Sequence, residues 1–313
     1  MNVLITGGTG FIGKNLARIL TDRAIRYRVF NRRECDLRNE EQTFAFFRKL
    51  EKFDRIFHMA AIQGGGAPEF QKGMAAALVH DNVKIHANTM EAWRLYQPQA
   101  KFIFVGTSCA YPASMSLLHE PDFHNGPVDE SVFYYANTKR MADVGLRAYR
   151  LQYNLKYVHV IYATPFGPND YFGDPVRTHV MAALIVKFIK AKEHHEPQVE
   201  IWGDGTQIRE LLYVDDQIDA MLLAAEHFEN EIVNISNGIG YTIREVAEII
   251  RDAVGYQGNL FFNKDRYTGV KYKVLDNKRF IAKTDWKPKY TLRQGIERTV
   301  AWYLLNRNNK VHP

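Results

Sequence analysis

Residues 2–13 read NVLITGGTGFIG: a short apolar run, then Gly7, Gly10 and Gly13 spaced three apart, then a stretch with helical patterning. Glycines at that spacing let a strand turn tightly into a helix and bring the backbone close to a pyrophosphate. The phosphate charge is then met by the unpaired N–H groups of the helix start. A tight strand-to-helix turn with no ligand would use glycines too. The strand before, the helix after and the rhythm of the following chain select a dinucleotide site.

Outward from this turn, the apolar runs YRVF (27–30), RIFHMAA (55–61), KFIFVG (101–106) and KYVHVIYA (156–163) alternate with helix-length segments. Near-continuous apolar strands separated by helices indicate a parallel sheet covered on both faces. The fold class expected is α/β: a Rossmann-type doubly wound parallel sheet with a smaller C-terminal α/β substrate-binding lobe. From residue 166 the rhythm changes at PFGPNDYFGDP, followed by helix patterns at 179–192, 215–227, 242–254 and 291–305. The expected division is a dinucleotide-binding domain over 1–165, with 208–238 returning to it, and a second, substrate-binding lobe over 166–207 and 239–313.

The chain has 313 residues, 46% of them apolar, enough to bury a full core in one large or two unequal domains. Cys35 and Cys109 stand alone, with no metal-ligand or disulfide spacing, and the His194–His195 pair in AKEHHEPQ has no third ligand in reach. No metal site is expected. The N-terminal stretch lacks the pattern of a secretory leader and no run is long enough to span a bilayer, so the expectation is a cytoplasmic protein without a membrane partner. A net charge of +6 favours anionic partners, but the basic residues are scattered among acidic ones. A phosphorylated small molecule fits this better than nucleic acid.

The choice of dinucleotide depends on the tip of the second strand, where a carboxylate would bind the ribose 2′-OH of NAD. Here stand Asn31, Arg32 and Arg33. An arginine fork can pair with a 2′-phosphate, which favours NADP(H) and leaves NAD(H) as the alternative; two solvated surface arginines would look the same. Asp36 and Leu37 are expected to flank the adenine. Phe11 and Ile12, inside the turn, and Ala60 and Ala61, after the third strand, complete the expected cofactor set.

In YYANTK, Tyr135 and Lys139 lie four apart and share a helix face. A free phenol titrates near ~10, and an ammonium beside it would bring that value toward the working range. The stretch TSCAYP (107–112) sets Thr107, Ser108 and Cys109 at the end of an apolar strand.

Together, the glycine turn, the hydroxyl pair after that strand and the Tyr135–Lys139 pair resemble extended short-chain dehydrogenase/reductases acting on nucleotide sugars. TSCAYP, HNGP (124–127), FGPNDYF (166–172), THVMAALI (178–185) and IWGDGTQIRELLYVDD (201–216) resemble most closely the GDP-L-fucose synthase group. These are NADPH-dependent 3,5-epimerases and 4-reductases of GDP-4-keto-6-deoxymannose. The resemblance covers nearly the whole chain. It implies that Thr107 hydrogen-bonds the sugar C4 oxygen, Tyr135 passes it a proton, and Lys139 holds the nicotinamide ribose. It makes Cys109 and His179 the epimerising pair. Ser108 and Thr164 would contact substrate, Lys187 and Arg209 the diphosphate, and Trp202 the nucleotide sugar. It also implies a homodimer, in keeping with the long helix patterns at 67–96 and 130–153.

The chemistry is consistent with those residue types. A C4 ketone acidifies the hydrogens on C3 and C5, and inversion needs one group to take a proton and another to return it from the opposite face. Cysteine near ~8.5 and histidine near ~6.5 suit both tasks. Taken singly, Cys109 reads equally as a small buried hydrophobe, His179 as a helix-start histidine and Lys187 as a lysine lying along a helix.

The chain departs from the group where Thr164 and Pro165 replace the usual Asn-containing segment, and at DPVRT (174–178) before His179. The sugar therefore stays open, a heptose or a substrate with one inversion included. Two other readings remain: a C4-only reductase, dehydrogenase or 4-epimerase of a GDP-hexose or GDP-heptose, and a non-catalytic dinucleotide-binding sensor.

Overall fold

The five apolar runs become five of the six strands of one parallel sheet. The computed structural model describes residues 1–63, 68–173, 178–266 and 268–308. In chain order the elements are β1 (Asn2–Thr6), α1 (Phe11–Asp22), β2 (Arg26–Val29), α2 (Glu40–Lys49), β3 (Arg55–His58), α3 (Pro68–Tyr96), β4 (Lys101–Val105), β5 (Leu117–Leu118), α4 (Phe133–Tyr153), β6 (Tyr157–Tyr162) and β7 (Thr164–Phe166). There follow α5 (Val180–Glu193), β8 (Gln198–Trp202), β9 (Ile208–Tyr213), α6 (Val214–His227), β10 (Ile232–Ile235), β11 (Gly240–Thr242), α7 (Ile243–Val254), β12 (Asn259–Asn263), β13 (Tyr272–Leu275), α8 (Lys278–Thr284) and α9 (Leu292–Asn306).

The large sheet has the order β2-β1-β3-β4-β6-β10, with every pairing parallel. Alternate residues of β1 feed opposite faces, as a strand's period of two requires. Val3 and Ile5 join the core under α1 and α6, while Leu4 joins the core under α2, α3 and α4. The chain moves from β1 to β2 on one side and returns to β3 on the other, so the strand order reverses at β1/β3. Ligands bind in the crevice at the carboxyl ends of strands at such a point.

A second core forms between α5, α7 and α9, with Ile201, Leu211 and Tyr213 from the neighbouring strands. Its sheet runs β11-β9-β13-β5, with β7 also on β9, and β8 pairs with β12 separately. Of the segment 208–238 expected back in the first lobe, β10 adds to the six-stranded sheet and β9 lies in the five-stranded one. Later in the chain, Leu275, Phe280 and Trp286 pack into the first lobe's core. Both α7 and α9 begin with reciprocal capping, Thr242 with Glu245 and Thr291 with Gln294, which explains their sharp starts. The two long helices pack on each other, and the outer face of α4 exposes Met141, Val144 and Leu151. Among the described residues no helix is long and apolar enough to cross a membrane.

Two buried polar side chains fasten the lobes. Asn234, on β10 and fully buried, accepts from Tyr111 Oη at 2.7 Å and donates to Leu118 O at 2.8 Å and Asp276 O at 3.1 Å. Glu210 on β9 accepts from Gly238 N at 2.7 Å and Leu275 N at 2.9 Å. Burial raises its carboxyl pKa to about 7, despite the N–H donors that favour the anion. Between them these bonds set β13 and the turn after β10 in one register.

Asn234→Ala would take their Asn234 partner from the Tyr111 hydroxyl and Asp276 O, while Leu118 O keeps its bond from Asp276 N at 3.0 Å. Each buried orphan costs about 1–3 kcal/mol, so the midpoint of urea unfolding should fall by an amount equivalent to roughly 3 kcal/mol, with the slope unchanged.

Candidate active site

The glycine turn is built for close approach. Gly7 has φ +69°, and a Cβ there would lie 2.7 Å from Ala60 N, so the backbones of β1 and β3 nearly touch at the crevice. A Cβ on Gly13 would strike Gly7 O at 2.4 Å, which ties α1 to the turn. Gly10 caps α1 without a side chain, leaving the N–H groups of the first turn, including Phe11 and Ile12, without intrahelical acceptors. The crevice therefore fits a pyrophosphate in shape and polarity. Ala60 N donates to Thr6 Oγ1 at 3.2 Å, and Ile62, just beyond Ala61, is pinned through both backbone groups by buried Asn82.

At the tip of β2, Asn31 Oδ1 accepts from Arg33 N at 2.8 Å, closing a local turn. Among the described residues the Arg33 guanidinium meets no acceptor, whereas Arg32 reaches Asp36 at 3.2 Å. Asp36 is also held by Arg38 at 2.6 Å, which pairs in turn with Asp81 at 2.8 Å. The carboxylates near this end are thus engaged, Asp36 by Arg32 and Arg38 and Glu34 by Arg28 at 2.6 Å, which leaves Arg33 open to an anion among the described residues of this tip. The Leu37 side chain is buried in the core under α2 and α3.

Thr107, Ser108 and Cys109 form the turn after β4. Thr107 Oγ1 accepts from Cys109 N at 3.2 Å, and at rest its hydroxyl hydrogen serves the Cys109 sulfur. Tyr135, on α4 and 7% exposed, approaches Gln63 Oε1 at 3.5 Å. Lys139, one turn later and 2% exposed, donates to Val105 O at 3.0 Å. Burial brings its pKa down to about 7. The sequence-based expectation was a phenol eased downward by this ammonium. Instead burial, with the nearby Cys109 charge, raises the Tyr135 phenol well above its ordinary value. Beneath the crevice, Thr6 Oγ1, His58 and His86 are chained at 2.8 and 2.9 Å. Burial and then the Lys139 charge hold both imidazoles far below their usual pKa.

Ser108, Cys109, Tyr135, Thr164, His179, Lys187, Trp202 and Arg209 all line one cavity of about 340 Å³ between the lobes. Thr107 and Lys139 stand behind this lining, joined to it through Cys109 and Tyr135. His179 is the N-cap residue of α5; burial and then Lys273 push its imidazole below the usual value. Lys187 donates to Glu200 O at 3.1 Å and lies 5.3 Å from the Trp202 ring. Arg209 donates to Ile208 O and Thr268 O, both at 2.9 Å. Residues 174–177 of the departing DPVRT segment lie outside the described residues.

A sequence profile described as the NAD dependent epimerase/dehydratase family matches residues 3–236. The chain belongs to that family. A relative from Oryza sativa subsp. japonica, called probable GDP-L-fucose synthase 1, is 31% identical over 307 residues, 97% of this chain and 92% of its own length. GDP-L-colitose synthase from Yersinia pseudotuberculosis is 29% identical, over 99% of this chain and all of its own. Among solved structures, a GDP-L-fucose synthetase from Naegleria fowleri bound to NADP superposes with TM-score 0.87 at 26% identity, covering 99% of this chain and 95% of that one.

As a member of the epimerase/dehydratase family the chain is an enzyme, and several cavity residues were missed by sequence reasoning. Lys273 on β13 donates to Cys109 Sγ at 3.0 Å. Glu200 accepts from Trp202 Nε1 at 3.2 Å and Arg266 Nε at 3.3 Å, setting the ring at the cavity mouth. Nothing local marks either residue: KYKVLDNKR is a run of scattered cations, and Glu200 is one acidic residue in a short strand.

Because Lys139 titrates near 7 in the fold against 10.5 when unfolded, its charge opposes folding. The folding advantage of the neutral amine is complete above about pH 10.5 and is lost as pH falls through about 7. Lys139→Met should therefore raise stability by roughly 3 kcal/mol at pH 6–7, with the gain shrinking toward pH 10. Denaturant unfolding across that range checks it.

Proposed function

We propose that the protein is an NADP(H)-dependent epimerase and reductase of a GDP-linked 4-keto sugar, inverting C3 and C5 and reducing C4. One observation carries the reading: a single cavity joins proton-exchanging side chains, Cys109, Tyr135 and His179, to the cations Lys187, Arg209 and Lys273. The GDP-L-fucose synthase relatives support the guanosine diphosphate, the NADP-bound structure from Naegleria fowleri supports the cofactor, and the resemblance supports the residue roles.

The turn of Gly7, Gly10 and Gly13, with Lys139 at the ribose, would hold the dinucleotide, which when bound would supply the hydride for C4. Thr107 and Tyr135 donate to the C4 oxygen, polarising the ketone and stabilising the enolate that forms when a neighbouring carbon loses its proton. Cys109 is the base. His179 is neutral in the resting cavity, and the diphosphate brings negative charge that raises its affinity for a proton, readying it to return one from the opposite face. Tyr135, kept as the phenol, then protonates the C4 oxygen as reduction proceeds. Lys187 and Arg209 hold the diphosphate, and Arg33 holds the 2′-phosphate. Thr164, where the resemblance expects asparagine, lines the pocket and favours a second reading in which the sugar is a GDP-heptose or is inverted at one carbon only. The homodimer expected from the long helices would cover Met141, Val144 and Leu151.

In deuterated water with GDP-4-keto-6-deoxymannose, label should enter C3 and C5, as read by NMR; label at neither carbon leaves a C4-only reductase. Cys109→Ser should slow that exchange about a hundredfold while sparing hydride transfer to an already epimerised ketone. Equal losses in both would remove the thiol from a dedicated role. Arg33→Ala should weaken NADPH by about tenfold or more, the scale of one charge-assisted hydrogen bond, and leave NADH unchanged in a fluorescence titration.

A further inference from the structure

Cys109 sits where two independently built walls of the cavity meet. Its own wall is the turn after β4, where the bond from Cys109 N to Thr107 Oγ1 fixes the backbone. The opposing wall is β13, on which Lys273 pairs in register with Arg209 of the parallel strand β9. Strand alternation puts Lys273 and Leu275 on one face. Leu275 is buried in the first lobe's core, and its N–H is held by Glu210. With Leu275 seated there, Lys273 is directed at the thiol and donates to Sγ at 3.0 Å.

We propose that Lys273 is a positioning residue that holds Cys109 as a thiolate, so that the resting cavity contains an ammonium–thiolate pair with one member from each lobe. This deepens the epimerase reading by specifying how its base is generated. The pair belongs to the protein without substrate, so its test needs no turnover, and its failure is distinguishable from failure of the proposed reaction.

The groups facing the sulfur are few among the described residues. Lys273 approaches from β13 and Arg209 from β9, both cationic. Tyr135 approaches from α4 and stays protonated, and His179, at the start of α5, is neutral. Asp129, a carboxylate lining the same cavity, is engaged by Ser131 N and Oγ. Burial alone would push the thiol up, but the charge and hydrogen bond of Lys273, the Thr107 hydroxyl and the Arg209 charge together bring it below its ordinary value. Removing the ammonium should therefore expose the effect of burial and carry the thiol above that value. Cys35 is an internal control: 2% exposed and raised to about 11, it should stay silent below pH 9.

The experiment is alkylation of the full-length protein by iodoacetamide across pH 5.5–9.5, followed by mass spectrometry of the Cys109 peptide. Wild type should react with a midpoint below the ordinary thiol value of ~8.5. Lys273→Met should move the midpoint up by at least about one unit, cutting the rate at pH 7 about tenfold or more, and Lys273→Arg should keep the low midpoint. A merely structural role would alter extent or stability without shifting the titration. The thiolate absorbance near 240 nm, wild type minus Cys109→Ser, gives the same midpoint should the methionine variant fail to fold. A wild-type midpoint at or above ~8.5, or a methionine profile superimposable on wild type, would overturn the proposal.

Discussion

The site depends on the join between two separately packed cores. Neither lobe contains a complete cavity: Ser108, Cys109 and Tyr135 come from the first, and Thr164, Lys187, Arg209 and Lys273 come from the second. The side chains that hold the lobes in register, Asn234 and Glu210, are polar and buried. An apolar contact would have tolerated sliding, whereas hydrogen bonds of 2.7–3.1 Å to fixed backbone groups and the Tyr111 hydroxyl do not. The geometric exactness needed between Cys109 and β13 is set here.

Charge inside this cavity is governed by dehydration first and by neighbours second. Lys139 loses much of its affinity for a proton because it is buried, with Val105 O and the faces of Phe104 and Tyr135 around it. Tyr135, one turn away, gains proton affinity for the same reason. The four-residue spacing predicts an ammonium that outweighs burial; in a closed pocket it does not. Only at Cys109 do neighbouring charges win, because Lys273 touches the sulfur directly. The two histidines under the crevice stay neutral and add no repulsion to Lys139.

How much of this was legible in the chain follows from the range of the interactions. The strands of the parallel sheet announce themselves because both faces are buried and their residues are apolar throughout. The helices at 180–193, 214–227, 243–254 and 292–306 follow from local periodicity and caps, within a residue or so of the patterns read. The glycine turn and the Tyr135–Lys139 spacing are local too. By contrast, the contact between Lys273 and Cys109 spans 164 residues, and that between Asn234 and Tyr111 spans 123. Strand pairing across a lobe boundary creates such contacts, and no window of sequence contains both partners. The placement of β9 in the smaller sheet was hidden for the same reason, since an apolar strand carries no label for its neighbour.

Because side chains alternate along β13, Val274 faces away from the thiol while Lys273 faces it, and the Glu210 bond to Leu275 clamps the strand just downstream of both. Changes in the length of the connection from β12 to β13 are therefore absorbed ahead of the clamp, without shifting which residue meets the sulfur. That connection contributes Thr268, Gly269 and Val270 to the cavity rim. The architecture thus lets the rim vary while Lys273 keeps its place against the sulfur.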